Sequence, residues 1–531
     1  MLTKKFLRQG EPYVWATSLA LSLILFIVFL LLYVVLANGI LVFWPKELSQ
    51  ATMTDGTLVL GEVIKDEKDP ASGEKRFQFK VGNRDLYGLD FRWVDSRMVK
   101  SFSRPEEAFV LERQEHGNFY GFLKELKTPG LLLTAEEHMS LQAARDIIEP
   151  QRAEVSAIEK QIATLNRKVE HSTGRLDRLL YKKEGETPAA GAVRAEIQEF
   201  KAEFDRLVGI LDGKRAIVSA NVAVLVDANG REKTVALADI VRCYQPNTMS
   251  WLQKCSYYLS RIKELLFAEP RESNTEGGLF PAIFGTIMLV FMMSILSFPV
   301  GVLAGIYLRE YAKEGYLVKT VRIAVNNLAG IPSIVYGIFG LGFFVYGVGG
   351  QIDQLFFAEK LPTPTFGTGG ILWASLTLGL LTVPVVIVAT EEALGSIPPG
   401  IREGSQALAA TKFQTLTRIL LPMASPGILT GFILAMARAA GEVAPLMITG
   451  VVKLAPALPL DSIFPYLHLD RKFMHLGFHI YDIGFQSPNV EAAKPMVFVT
   501  TLLLILIVIL MTSTAIFLRN RMRERFSVAD L

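Results

Sequence analysis

The sequence predicts a membrane all-α protein: six membrane-crossing helices, with a soluble insert between the first two that is β-rich and carries an antiparallel coiled-coil hairpin. Three observations carry this reading. Half of the 531 residues are hydrophobic and the mean hydropathy is positive. Uninterrupted apolar runs of about 20 residues, the length a helix needs to cross roughly 30 Å of hydrocarbon, occur six times. Between the first and second runs lies a stretch of domain size with a different composition. A formal net charge of only +3 and the lack of a basic patch exclude a nucleic-acid partner.

The runs lie near Val14 to Leu36, Phe280 to Leu308, Ile323 to Val348, Ile371 to Ala389, Met423 to Thr449 and Met496 to Phe517. The first is too long for a signal peptide and has no small-residue cleavage site, so it reads as an anchor within residues 1–45. Basic residues near span ends set orientation, because they are retained in the cytoplasm. Lys4, Lys5, Arg8, Arg309, Lys313, Lys319, Arg322, Arg402, Lys412, Arg418, Arg519, Arg521, Arg523 and Arg525 share one side, fourteen against the five of the opposite short loops, Lys360, Lys453, Arg471, Lys472 and Lys494. Both termini are expected in the cytoplasm.

Residues 46–275 then lie outside. Thr57 to Ile64, Arg76 to Val81 and Leu86 to Val94 alternate apolar and polar residues between Gly, Asp and Asn, as short strands do. Asp227-Ala-Asn-Gly230 separates two more such runs and reads as a hairpin turn. Within this insert Val155, Ile158, Ile162, Leu165, Val169, Ser172, Leu176 and Leu179 recur at steps of three and four, the seam of a coiled coil. Ile197, Phe200, Phe204, Leu207 and Leu211 repeat the pattern after the helix-breaking Gly185 to Gly191 segment. The two runs predict a hairpin over about 151–213, projecting about 45 Å at 1.5 Å per residue. It carries no catalytic signal and suits a spacer, a dimer contact or a docking arm. Cys243 and Cys255, the only cysteines, stand twelve positions apart on the oxidising side. That separation permits a disulfide and does not require one.

Residues 276–531 hold the remaining spans, and between the fourth and fifth lies a polar, small-residue stretch within 391–422. Its pattern is Glu403, Gly404 and Ser405, three residues, Ala409, nine residues, then Ile419, Leu421 and Pro422. A short helix with small residues on one face can lie close in a cleft of another subunit, with Glu403 a fixed charge at its start. The pattern resembles the cytoplasmic coupling loop of ABC importer permeases, which reads Glu-Ala-Ala, three residues, Gly, nine residues, Ile-x-Leu-Pro. This chain departs from it at Gly404, Ser405 and Ala409, each time by another small residue. The orientation derived above puts this loop inside the cell, where ATP is. Glu391 and Glu392, at the end of the fourth span, read either as orienting the loop or as solvated charges.

Charged residues within a span are costly and therefore informative, and the fifth run holds two, Arg438 and Glu442, expected four apart on one helix face. Arg438 offers a planar donor fork suited to phosphate oxygens, and Glu442 can accept a hydrogen bond from a protonated oxygen. Phosphate keeps a proton near neutral pH and sulfate does not, so the carboxylate favours the first. A structural salt bridge is the competing reading. Asn326 and Asn327 of the third run read as polar lining or as helix–helix bonds. Pro332, Pro384 and Pro445 break or kink spans. His468, His475 and His479 fall in the long outer loop between the fifth and sixth spans.

ARAAGEVAPLM around Arg438, NNLAGIPSIVYGIFGLG in the third run and PRESNTEGGLFPAIFGT before the second resemble the phosphate ABC transporter permease, A subunit, over roughly Val241 to the C-terminus. The resemblance implies a multi-pass bacterial inner-membrane importer of the type I ABC importer permease kind. It also implies a second related permease, two copies of an ATP-binding subunit that hold ATP and Mg, and a periplasmic phosphate-binding protein docking on the outer loop. In that family the matching Arg and Glu are proposed to meet phosphate in the pathway. No G-x-x-x-x-G-K-[ST] loop occurs here, so ATP hydrolysis must come from a partner and this chain needs no cofactor. No metal-ligand spacing is present, and membrane lipid is the remaining partner. The rival readings are a permease for another oxyanion, such as phosphonate or molybdate, and a membrane signalling scaffold that transports nothing.

Overall fold

The computed structural model describes residues 11–68, 73–128, 131–134, 141–462, 464–487 and 489–526. Lys4, Lys5 and Arg8, counted above for orientation, lie outside the described residues. Among the described residues, six helices are long and apolar enough to cross a membrane: Pro12–Phe43, Phe280–Tyr311, Ser333–Phe356, Ile371–Gly395, Lys412–Gly441 and Val490–Glu524, hereafter spans one to six.

Span four is the centre of the bundle. Two thirds of its most apolar window is buried, whereas none of the corresponding window of span one is. Lipid tails are as apolar as Leu, so helices in a membrane gain most by approaching closely enough for dense van der Waals contact. Two glycine pairs, each spaced i,i+4, allow this on adjacent faces of span four. A Cβ on Gly301 or Gly305 of span two would fall 2.7 Å from Val386 or 2.6 Å from Thr390, and a Cβ on Gly427 or Gly431 of span five would fall 2.6 Å from Ala393 or 2.2 Å from Ala389. Buried hydroxyls bond back within their own helices: Ser375 to Ile371 O, Thr377 to Trp373 O and Thr390 to Val386 O, each at 2.7 Å. Span one lies at the periphery along span six, where Gly39 meets Phe498 and Leu502.

Two spans differ from the periodicity. The third run does not form one helix from Ile323. An amphipathic helix, Tyr316–Leu328, ends first, and span three starts at Ser333 beyond Pro332, which has no N–H to continue a helix. Asn326 and Asn327 therefore belong to the preceding helix, where both are exposed, and not to span three. Span five ends at Gly441, Glu442 is extended (φ −77, ψ 136), and a short helix Ala444–Thr449 follows with Pro445 in its first turn. Pro384, in contrast, stays inside the continuous span four.

The insert builds two antiparallel sheets. Strands β1 (Leu48–Met53), β2 (Leu58–Lys68), β3 (Lys75–Lys80), β4 (Phe91–Asp95) and β5 (Val99–Ser103) pair in the order β4-β3-β2-β1-β5. Strands β6 (Phe109–Arg113), β7 (Phe119–Thr128), β8 (Leu131–Thr134), β9 (Val222–Val226), β10 (Glu232–Ala236) and β11 (Ile240–Tyr244) pair as β10-β9-β7-β6-β11, with β8 on β7. Between β8 and β9 the chain leaves as two helices, Leu141–Tyr181 and Pro188–Ser219, which run antiparallel and pair Glu154 with Lys214 at 2.7 Å and Arg175 with Glu196 at 3.2 Å. This arm does not stand free. Arg178 reaches Glu359 between spans three and four at 2.9 Å, and Arg167 lies 3.6 Å from Asp461 between spans five and six. Cys243 is buried on β11 and Cys255 half-buried on the helix that follows, and no disulfide joins them.

A buried ionic network fastens the helix Trp251–Phe267, which leads towards span two, to the strands of the insert. Glu112 on β6 accepts from Arg242 at 3.2 Å, Arg261 at 2.9 Å and the Tyr257 hydroxyl at 2.5 Å, and Glu264 binds Arg242, Arg261 and Arg271 at 2.7–2.9 Å. Asp90 accepts from Asn489 at the start of span six at 2.7 Å, and Glu272 receives the Gly117 N–H at 2.8 Å and pairs with Arg84. In the outer loop, Asp353 is almost fully buried and accepts the N–H groups of Thr365, Phe366 and Gly367 at 2.6–3.0 Å. His475 and His479, between spans five and six, are both buried. The His475 Nδ1 accepts the Gly477 N–H at 3.1 Å, and His479 contacts Asn274 O at 3.2 Å. Burial pushes both imidazoles down to about 4.

Two predictions follow from this packing. Gly431→Val places new atoms against Ala389 with no space to receive them, and it should destabilise the bundle by about 1–3 kcal/mol, the usual cost of overpacking, read as a lower unfolding temperature in detergent. In the unfolded chain His475 and His479 protonate near pH 6.5, whereas in the fold they stay neutral down to about 4. Acidification between those values favours only the unfolded state. Stability should be complete above about pH 6.5 and fall towards pH 4, and His475→Asn, whose amide oxygen can still accept the Gly477 N–H, should flatten that decline.

Candidate functional site

Two places carry the residues singled out in the sequence, one at each end of span five. At the loop end, Pro399–Ala407 forms a short helix. Glu403 and Gly404 are exposed on it, Ser405 is buried, and a Cβ on Gly404 would meet nothing within 4 Å. The size of residue 404 is thus not dictated by this chain's own packing. Ser405 Oγ lies 2.9 Å from Thr415 Oγ1 across the turn. Ala409 makes that turn with φ +60, in the left-handed region that costs a residue with a Cβ roughly 1–2 kcal/mol. The position at which the resembled family has Gly is therefore one where the backbone favours Gly, a demand that the sequence reading, which treated Ala as one small residue for another, did not detect.

Thr411 then caps the next turn, accepting the Gln414 N–H at 3.2 Å while Gln414 accepts the Thr411 N–H at 2.9 Å. Leu416–Leu420 widens into a π-turn that leads into span five, so Ile419, Leu421 and Pro422 lie half-buried where the loop enters the bundle. Leu408 and Phe413, 86% and 66% exposed, stand out from the same surface.

The loop is held from behind. Arg402 pairs with Glu310 at the end of span two at 2.7 Å and donates to Leu394 O and Ile397 O at 2.7 and 2.9 Å. Arg322 on the amphipathic helix meets Glu391 at 3.2 Å, Glu314 at 3.0 Å and Leu308 O at 3.1 Å, while Glu392 is exposed. Glu391 is therefore a fastening point and Glu392 a surface charge. Arg402 and Glu310 were not singled out as a pair, because 92 positions separate them and no periodicity links them.

At the other end, Arg438 and Glu442 do not share a continuous helix face. Arg438 lies in the last turn of span five, and Glu442 caps that helix from the extended break beyond Gly441. The break still brings them together, with Arg438 Nε 3.7 Å from Glu442 Oε1 and the side chains 37% and 21% exposed. That separation is an ion pair without a hydrogen bond. Neither side chain makes a hydrogen bond among the described residues, so the guanidinium fork is open to a ligand.

The break packs against span three. A Cβ on Gly337 would fall 2.7 Å from Pro445 Cα, and Tyr336, close enough to Arg438 to interact electrostatically, donates its hydroxyl to Leu328 O at 2.7 Å. Two chain breaks, 329–332 and 442–443, thus meet at one level. Broken helices are tolerated in a membrane where they line a cavity or are buried in protein, and half-helix ends there supply unpaired backbone groups to ligands. The outer-loop histidines are elsewhere: His468 Nε2 lies 3.0 Å from Asp461, and His475 and His479 are buried.

The family model that matches residues 297–524 is the binding-protein-dependent transport system inner membrane component. The chain is 34% identical over 191 residues to the probable phosphate transport system permease protein PstA of Methanocaldococcus jannaschii, covering 36% of this chain and 61% of that protein. It is 36% identical over 188 residues to the phosphate transport system permease protein PstA of Yersinia pestis, covering 35% and 58%. With the probable ABC transporter permease protein YqgI of Bacillus subtilis it shares 30% identity over 223 residues, covering 41% of this chain and 70% of the relative. The chain spans about three fifths of the length of the first of these relatives. The matched region contains the loop at Glu403, both chain breaks and the Arg438–Glu442 pair, and the chain belongs to the binding-protein-dependent transport system inner membrane component family.

Proposed function

We propose that this chain is one permease subunit of an ATP-driven importer of inorganic phosphate, and that Arg438 and Glu442 contact the substrate at the break in span five. The observation that carries this reading is the open guanidinium fork of Arg438, held 3.7 Å from a carboxylate inside the bundle. A dihydrogen or monohydrogen phosphate can accept from Arg438 and donate its remaining proton to Glu442. A fully ionised oxyanion meets the same carboxylate as a like charge. The similarity to the phosphate transport system permease proteins of Methanocaldococcus jannaschii and Yersinia pestis supports the substrate.

The Glu403 loop is the docking element for a separate ATP-binding subunit, which holds ATP and Mg; two copies serve this chain and a second related permease. Its exposed Glu403, Leu408 and Phe413, and the open space at Gly404, suit a surface that enters a cleft. A soluble phosphate-binding protein delivers substrate at the opposite end, over the loops that hold Glu359 and Asp461. Both termini and the Glu403 loop lie in the cytoplasm, as the distribution of basic residues requires, and the insert lies in the periplasm. Displacement of the loop travels along spans four and five, locked by the Gly427 and Gly431 contacts, to the break at 442–443, where the pathway opens by alternating access.

Uptake of labelled phosphate by the reconstituted complex tests the substrate. Arg438→Ala should lower uptake by about tenfold or more, since a charge-assisted hydrogen bond is worth about 1.5–3 kcal/mol, and unaltered uptake would remove Arg438 from the pathway. Glu442→Gln should let sulfate compete where it does not with the native carboxylate. Glu403→Lys should abolish ATP-coupled uptake while leaving the bundle folded, whereas Ala409→Gly should keep uptake and raise stability by about 1 kcal/mol by relieving the left-handed strain.

A further inference from the structure

The helix Trp251–Phe267 joins the last strand of the insert to span two, and its two faces have opposite characters. Its start is fixed by Ser250, which accepts the Gln253 N–H at 3.4 Å while the Gln253 side chain accepts the Ser250 N–H at 2.8 Å. One face carries Tyr257, Arg261, Glu264 and Leu265, all engaged: the first three in the network around Glu112, and Leu265 in the cluster with Leu279 and Ala282. The other face carries Leu252, Leu259 and Phe267, which are 73%, 65% and 71% exposed, with Trp251 at 69% on its shoulder. At 3.6 residues per turn these three project within one narrow sector. Lys263 lies in the same sector, exposed, and has no ion pair among the described residues.

The position of this helix along the membrane normal is fixed at its middle and at its C-terminus. The Tyr258 hydroxyl donates to Ile40 O at 2.9 Å, Arg261 stands 5.1 Å over the Phe43 ring, and the Trp44 and Tyr258 rings lie 6.1 Å apart. Ile40 and Phe43 are the outer end of span one. Beyond its C-terminus a small hairpin, Pro270–Arg271 with Glu276–Gly277, turns the chain back so that Leu279 N donates to Leu265 O at 2.7 Å and Phe280 N to Ala268 O at 3.2 Å, where span two begins. The middle and C-terminal end of the helix are therefore held level with the outer ends of two membrane-crossing helices. Trp44, Trp251 and Tyr258 supply the amphipathic aromatic rings that settle at the headgroup level.

We propose that the helix Trp251–Phe267 lies in the outer membrane–water interface, with Leu252, Leu259 and Phe267 inserted among phospholipid chains and Lys263 extending to the phosphate layer. An amphipathic helix binds an interface by burying its apolar sector, and a lysine on that sector can keep its ammonium at the headgroups while its stem covers apolar surface. Through the Glu112 network this lipid contact sets the seating of the whole insert. The inference stands on the membrane crossing of spans one and two and is independent of the substrate.

The test uses the assembled complex in lipid nanodiscs, with Cys243→Ala and Cys255→Ser as background and a spin label on Leu259→Cys. Collision with oxygen, which concentrates in lipid, should be frequent, and collision with a water-soluble nickel chelate should be rare, while a label on Lys124→Cys of the exposed sheet surface should show the reverse. Rare collisions with both reagents would mean that another protein surface covers the helix, and frequent collisions with nickel that it faces water; either result overturns the proposal. Should the labelled variant fail to assemble, brominated phospholipids should quench part of the tryptophan emission of the unlabelled protein, and Trp251→Phe should remove that part. Equal quenching of the two proteins would overturn it as well. Phosphate uptake by the Cys-replaced background tests the transport reading separately.

Discussion

The close approach of spans two and five to span four is the contact on which the rest of the structure depends. It exists because four glycines, Gly301, Gly305, Gly427 and Gly431, stand where any side chain would overlap Val386, Thr390, Ala393 or Ala389. Within a bilayer apolar residues gain little by leaving lipid for protein, so helix association depends on such dense contact. The glycines make spans four and five a stiff pair. The Glu403 loop joins that pair at one end, and the break at Glu442 lies at the other. A substitution that spreads the pair would disconnect the two places without touching either.

The two ends are built on opposite principles. At the loop end, the short helix is fastened from behind by Arg402 to Glu310 and by Ser405 to Thr415, which leaves the Glu403 and Gly404 face exposed among the described residues. At the far end, buried charge does the fastening. Glu112 and Glu264 tie the strands of the insert to the helix that leads into span two, Asp90 ties the insert to the start of span six, and Asp353 collects three backbone N–H groups of the outer loop. Removing one partner from such a network leaves an uncompensated buried charge, which is costlier than the pair itself is favourable. The insert is thus bonded to the ends of the spans and does not hang from flexible linkers. Its arm, through Arg178 and Arg167, touches the two loops that follow spans three and five.

The six crossings are legible in the sequence because a bilayer imposes a length and an apolarity that few other structures need. The strand pattern of the insert is legible for a similar reason, since half-buried strands alternate. What the pattern does not carry is where an apolar run stops being one helix. Residues 323–348 and 423–449 are mostly apolar, yet Pro332 and the Gly441–Pro445 segment divide them, and the division decides whether Asn326 and Glu442 belong to a span. The backbone of Ala409 was equally hidden, because Ala is compatible with a helix and only the tertiary turn forces its φ to +60. Pairs such as Arg242 with Glu112 lie 130 positions apart and leave no local trace.

The central claim is that spans four and five carry motion from the Glu403 loop as one rigid piece as far as the break at 442–443. It is tested most directly by pulsed electron paramagnetic resonance on the assembled complex, with one spin label on Gln406 and the second on either Leu434, before the break, or Leu454, beyond it. The Gln406–Leu434 distance should be the same in nucleotide-free and ATP-bound complexes, while the Gln406–Leu454 distance should change. A shift in the first distance, or no change in the second, would contradict the account.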